Sequence, residues 1–174
     1  VDDIELIDVS SITPSDVIFF ENQSNGNEVL NTLDLITGRM GEEMVYKYLL
    51  DKYSHHRNSV CIKWENGHGE TFKPHDILLI QNGITYFIEV KSTRTYNQHL
   101  FPLSISQIEA FSKYKENYFI YRVYVDERKF IILDNIRWRL MEKQHLSCFL
   151  KITPALPNET ISSRNSSDTS QLSL

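Results

Sequence analysis

Several features are scarce in this chain, and each scarcity excludes something. No apolar run approaches the ~20 residues that a membrane-spanning helix needs, so no membrane role is expected. No basic-then-apolar leader opens the sequence, so a secretory signal is not expected either. The first residue is valine rather than methionine, and the chain is expected to be an excised or processed piece of a longer protein. There are two cysteines, Cys61 and Cys148. No CxxC or histidine–cysteine spacing points to zinc. Each cysteine lies in an apolar run, and both are expected to be buried, reduced thiols of an intracellular protein. The adjacent His55 and His56 face different directions on any regular element and read as surface residues. No internal repeat is present.

Basic residues are missing from one end. Residues 1–38 contain eight acidic side chains and no lysine or arginine, whereas residues 39–174 carry fifteen acidic and eighteen basic ones. The net charge of −5 argues against a generic polyanion binder. Because the acidic excess is confined to the N-terminal segment, the remainder is still able to bind a polyanion locally. Residues 1–36 read as an acidic lead-in that packs one or two short elements. Residues 154–174 are rich in Ser, Asn, Thr and Pro, and are expected to be a disordered tail. The domain proper is expected over residues 37–153.

Within it the pattern is strong. Gly38 to Lys52 reads as a helix, with Met44, Val45, Tyr48 and Leu49 at helical spacing. Val60–Glu65 alternates and reads as a strand, broken by Asn66-Gly67. Asp76–Ile80 and Thr85–Val90 read as strands joined by Asn82-Gly83, a strong hairpin signal. Ser104–Lys115 reads as a second helix with capping-box spacing at Ser104 and Gln107. Tyr118–Val125 and Lys129–Leu133 are further strands, and residues 138–151 form a last helix or strand. A sheet with helices on its faces is predicted.

The hairpin register brings chemistry together. If Asn82-Gly83 is a two-residue turn, Gln81 faces Ile84 and Asp76 comes level with Glu89. Glu89 and Lys91 share a face by strand alternation. Two opposed carboxylates repel, which a purely structural hairpin avoids. A divalent cation removes that conflict, and hard carboxylate oxygens suit Mg²⁺ or Mn²⁺. A lysine beside them can orient water and balance phosphate charge. The set suits phosphodiester hydrolysis. Glu42 shares a helical face with Val45, Tyr46 and Leu49 and so borders the buried side, whereas Glu43 pairs with Lys47 at i, i+4. Gln107 is either a capping partner or a contact to water or phosphate.

At these residues the chain resembles a known family. GRMGEEMVYKYLL from Gly38, PHD at 74–76 and IEVKST at 88–93 resemble the PD-(D/E)XK nuclease superfamily. Within it, Trp64-Glu65-Asn66, EVKST, FPLSISQIEAF and YFIYRV are similar to the C-terminal domain of the NO VEIN family. The resemblance implies an α/β, restriction-endonuclease-like αβββαβ core with a mixed central sheet flanked by helices. It implies that Asp76 and Glu89 hold Mg²⁺, that Lys91 positions the attacking water and that Glu42 takes the auxiliary helix position. Two departures stand out: His75 is inserted between Pro74 and Asp76, and Phe111 stands where a Gln-x-x-x-Tyr element has tyrosine.

The expected function is a metal-dependent nuclease acting on DNA, or less readily RNA. The alternative is an inactive nuclease-fold module that binds nucleic acid or a protein partner within a larger protein. Lys73, Arg94, Lys113 and Lys115 are the expected phosphate contacts, and Tyr96 is a candidate for base stacking. The apolar stretch 145–152 could bury against a partner or a second copy, and two cuts on a duplex would favour a homodimer.

Overall fold

In the computed structural model, the described residues are 4–11, 27–56, 58–95, 98–142 and 146–148. They build a mixed sheet of six strands: β1 (Glu5–Ile7), β2 (Val60–Trp64), β3 (Ile77–Gln81), β4 (Ile84–Thr93), β5 (Tyr118–Tyr124) and β6 (Lys129–Leu133). The spatial order is β1-β6-β5-β4-β3-β2. β2, β3 and β4 form an antiparallel meander. β5 runs parallel to β4 and is reached through helix α2 (Ile105–Tyr114), because parallel neighbours need a crossover. β6 returns antiparallel to β5, and β1 lies parallel on β6 at the far edge. With helix α1 (Asn27–Lys52) ahead of the meander, the order matches the expected αβββαβ core. The fold is α/β with flanking helices, consistent with a restriction-endonuclease-like core.

Strand alternation divides the interior in two. One face gathers Val45 and Leu49 of α1 against Ile77, Leu79, Ile88, Val90, Tyr121, Val123 and Phe130. The other gathers Ala110 and Phe111 of α2 against Tyr118, Ile120, Tyr124, Ile131 and Leu133, with Ile136 of helix α3 (Ile136–Met141). β5 is in the middle of the order and supplies both faces, which explains its nearly continuous apolar sequence. Gly41 lets α1 come close to the sheet. A Cβ there would lie 1.8 Å from Ser92 Oγ.

Three expectations are corrected. The first helix begins at Asn27 instead of near Gly38. Its early turns leave Leu33, Leu35 and Ile36 exposed, so they carry no amphipathic signal. The cysteines are free and exposed rather than buried. Cys61 shares the outward face of edge strand β2 with Lys63. The last described element is a helix that ends at Met141, with no regular structure over 146–148. Tyr96 and residues 154–174 lie outside the described residues, as does most of 145–152. No described helix is long and apolar enough to cross a membrane.

Candidate active site

The hairpin places the first acid. Asn82 and Gly83 both have positive φ, 52° and 78°, the type I′ geometry that suits strand twist. The register therefore runs from Gln81↔Ile84 to Ile77↔Ile88, and one step further brings Asp76 level with Glu89. β3 ends there, with the Asp76 N–H on the Ile88 carbonyl at 2.9 Å. The Asp76 carboxylate takes the Val90 N–H on Oδ2 at 2.7 Å and Asn66 Nδ2 on Oδ1 at 2.9 Å. Asn66 is itself buried, and its Oδ1 accepts from the Thr71 N–H and hydroxyl at 3.1 and 3.0 Å.

Glu89, Lys91 and Gln107 are in direct contact. Lys91 Nζ lies 2.9 Å from Glu89 Oε1 and donates to Gln107 Oε1 at 3.0 Å. Gln107 Nε2 donates to Glu89 Oε1 at 2.5 Å. The capping box of α2 locks this amide. The Ser104 N–H donates to Gln107 Oε1 at 2.9 Å, and the Gln107 N–H donates to Ser104 Oγ at 3.3 Å. Capping and site contact, posed as alternatives for Gln107, are both made. Glu42 reaches in from α1 and accepts from Trp64 Nε1 at 2.7 Å. Arg39 stacks over the Trp64 ring at 4.1 Å and donates to the Asn66 and Gly67 carbonyls. Glu43 pairs with Lys47 at 2.7 Å.

The electrostatics are strained. Burial pushes the Asp76 pKa up to about 8, and the Glu89 and Glu42 charges add to the rise. Burial also raises Glu89, against the opposing pull of Lys91. Glu42 is raised by burial, with its bond from Trp64 acting the other way. Glu70 adds negative charge felt at both Glu42 and Glu89. Glu89 Oε2 is buried with no hydrogen-bond partner among the described residues, a costly state for a carboxylate oxygen.

These features fit a hard cation. No group of three or more His, Cys, Asp or Glu side chains converges as a metal cage among the described residues. Mg²⁺ does not require one, since it keeps several waters and is commonly held by one or two carboxylates. Asp76 and Glu89 are the residues that would hold it, with the unpartnered Glu89 oxygen as a ligand.

The expected phosphate contacts are dispersed. Lys73 and Lys63 both bind Glu65, at 2.8 and 2.9 Å, and Lys73, the larger influence, holds that carboxyl below its usual range. Arg94 lies 3.9 Å from Asp126, Lys113 sits over the Tyr114 ring at 5.1 Å, and Lys115 lines a separate surface pocket of about 250 Å³ with Trp138 and Met141. His75 is buried edge-on to Phe87, and burial lowers its pKa.

Sequence reasoning missed Asn66, Glu70 and Arg122 as contributors. Asn66 reads as a strand breaker and as part of the resemblance but is given no contact with the acids, and Glu70 lies in an unpatterned loop. Arg122 sits in β5 and is 4% exposed. It donates to the carbonyls of Lys91, Ser92 and Gln98, so it ties the end of β4 to the segment leading into α2. A charged residue in an apolar strand is the one signal that could have marked it.

The family described as "Protein NO VEIN, C-terminal" matches residues 41–133, just over half the chain. The chain belongs to the NO VEIN C-terminal family. Protein NO VEIN-LIKE of Arabidopsis thaliana is 31% identical over 126 residues, covering 71% of this chain and 18% of that protein. Protein NO VEIN of the same plant is 30% identical over 126 residues, covering 71% of this chain and 4% of that protein. The chain thus spans a small fraction of these curated relatives. No solved structure matches it significantly. The matched stretch of this NO VEIN C-terminal domain runs from Gly41 to Leu133 and contains every candidate site residue.

Proposed function

We propose that this NO VEIN C-terminal domain is a metal-dependent phosphodiesterase of the PD-(D/E)XK kind that cuts nucleic acid, DNA in preference to RNA. The observation that carries the reading is the buried Glu89 oxygen without a partner, next to an Asp76 whose pKa is pushed up to about 8. A fold that needed only a stable hairpin would not bury two acids together. When bound, Mg²⁺ would neutralise them and act as a Lewis acid toward a phosphate oxygen.

The chain's own residues supply the rest. Asp76 and Glu89 would hold the ion. Asn66 and the Val90 N–H fix the Asp76 carboxylate, so its orientation is set before any ligand arrives. Lys91 is an ammonium with three donors, two of them used on Glu89 and Gln107. The third would orient water or meet a phosphate oxygen. Gln107 clamps Glu89 and Lys91 to each other. Glu42 adds a carboxylate at the rim. The remainder of a longer protein would set target choice.

The second reading is a module that binds without cutting. What favours it over cutting is that Lys73 and Arg94, two expected phosphate contacts, face Glu65 and Asp126 instead of the carboxylate pair. Cleavage of plasmid and single-stranded DNA with Mg²⁺, Mn²⁺ or EDTA separates the two. Metal-dependent cutting that falls at least a hundredfold (~2.7 kcal/mol) in Lys91→Ala is expected. Cutting unchanged in Lys91→Ala would show that the site is misassigned. No cutting, together with no Mg²⁺ binding by calorimetry, would favour the module.

A further inference from the structure

Phe72 has no role in the fold. Its side chain is 88% exposed, and its φ of 55° lies in the left-handed region where a Cβ is crowded and glycine or asparagine is the usual occupant. A bulky aromatic there gains nothing from burial and adds strain. Such strain persists only where surrounding contacts impose it, and it concentrates at functional sites.

The surroundings do impose it. Asn66 accepts the Thr71 N–H and hydroxyl while bonding Asp76. The Phe72 N–H donates to Glu70 Oε1 at 3.0 Å, and the Tyr118 hydroxyl donates to the Pro74 carbonyl at 2.5 Å. The segment 70–74 is thus pinned on both sides, and the phenyl ring is held outward. The site is adjacent, because Asn66 bonds both Thr71, the residue before Phe72, and the Asp76 carboxylate. Cations flank it. Lys63 and Lys73 share the one Glu65 carboxylate, with side chains 61% and 43% exposed, so both ammoniums keep surface open to a phosphate, while Glu70 on the Phe72 N–H balances their excess charge.

We propose that Phe72 is a base-stacking residue: an unpaired nucleobase lies on its ring, while Lys63 and Lys73 meet the neighbouring phosphates. The strand is thereby held over Asp76 and Glu89. An exposed ring next to basic side chains is the arrangement that binds single strands, since every base offers a π-face and phosphates need cations. Within an intact duplex those faces are already stacked, so the domain prefers single-stranded or locally opened nucleic acid. This inference rests on the nuclease reading.

The test is binding of an oligonucleotide carrying 2-aminopurine, with Ca²⁺ replacing Mg²⁺ to spare the strand. Phe72→Ala should weaken single-strand affinity by about fivefold to a hundredfold, the loss of one base stack. It should also abolish quenching of the 2-aminopurine. Phe72→Trp should restore both. Phe72→Leu should behave as Phe72→Ala, because it keeps apolar bulk without a ring. All variants should melt at or above the wild-type temperature, since an exposed side chain in a strained conformation contributes no packing. Equal binding by wild type and Phe72→Ala, or full activity of Phe72→Leu, would overturn the stacking role and leave the nuclease reading standing. Absence of any binding by the wild type, with Mg²⁺ failing to bind as well, would remove the nuclease reading and this inference with it.

Discussion

The carboxylate site predicts an unusual dependence of stability on pH. Without metal, folded Asp76 keeps its proton up to about pH 8, whereas an unfolded aspartate releases it near ~3.9. A pKa raised by folding contributes stability that is full below the unfolded value and is lost as pH rises through the folded one. Between about pH 6.5 and 8 the folded chain therefore holds roughly one proton more than the unfolded chain. The slope is about 1.4 kcal/mol per pH unit, giving a ceiling of about 2 kcal/mol over the window. Asp76 keeps part of its surface open to solvent, so screening brings the value below that ceiling.

The groups whose pKa is lowered do not produce this slope. The contribution of His75, whose pKa is lowered, is present above its unfolded value near ~6.5 and constant there. Glu65 is lowered as well, and its contribution is lost only in acid. Glu89 and Glu42 are raised and act in the same sense as Asp76. Melting curves in EDTA should thus fall by up to about 4–8 °C from pH 6.5 to 8. Asp76→Asn should flatten the curve. Its offset is separate, because one amide oxygen has to serve both Asn66 and the Val90 N–H. Saturating Mg²⁺ should bend the wild-type curve upward, since an ion that binds the deprotonated pair stabilises more as protons leave. Curves that run parallel with and without Mg²⁺ would refute the metal assignment. A flat wild-type curve in EDTA would refute the buried-acid argument itself.

Two further predictions concern how the site is held. Gly41→Ala would place a Cβ 1.8 Å from Ser92 Oγ and 2.8 Å from Ser92 Cβ, and should cost about 1–3 kcal/mol by overpacking. Ser92→Gly in the same chain should recover most of the lost melting temperature, and no recovery would place the clash elsewhere. Arg122→Met should lower stability by about 1–3 kcal/mol by stripping partners from half-buried carbonyls, and Arg122→Lys should not rescue it, because one ammonium cannot replace the guanidinium fork. A melting temperature unchanged in both Arg122 variants would show that the loop before α2 is held by other contacts.

How legible each feature was follows from how local its cause is. The hairpin was readable because a two-residue turn sets register without help from the rest of the chain, and Ser104 with Gln107 because a capping box spans one helical turn. The start of α1 was not readable, since Leu33, Leu35 and Ile36 stay exposed and give no periodic stripe. Cys61 was misplaced because its apolar run outweighed the alternation that pairs it with Lys63 on the outer face. Asn66 and Arg122 act through partners ten or more residues away. Asn66 reaches Asp76, and Arg122 reaches Gln98 and Lys91. Propensity carries no information about such contacts.

The acids also bear on why the site exists at all. Beyond burial, Glu89 and Glu42 raise the cost of ionising Asp76, and Glu70 raises that of Glu42 and Glu89, and Lys91 is the one cation in direct contact with Glu89 among the described residues. Amides of the same shape at Asp76 and Glu89 would remove buried charge while filling the same space. Glu65 shows that this chain can neutralise a buried acid when the role is structural, since two lysines close on its carboxylate. The same fold thus contains one acid that is fully compensated and a neighbouring set that is not. Such a break with local rules is expected where function, not stability, dictates the residue, and under the proposed reading a bound cation at the uncompensated set would restore the balance.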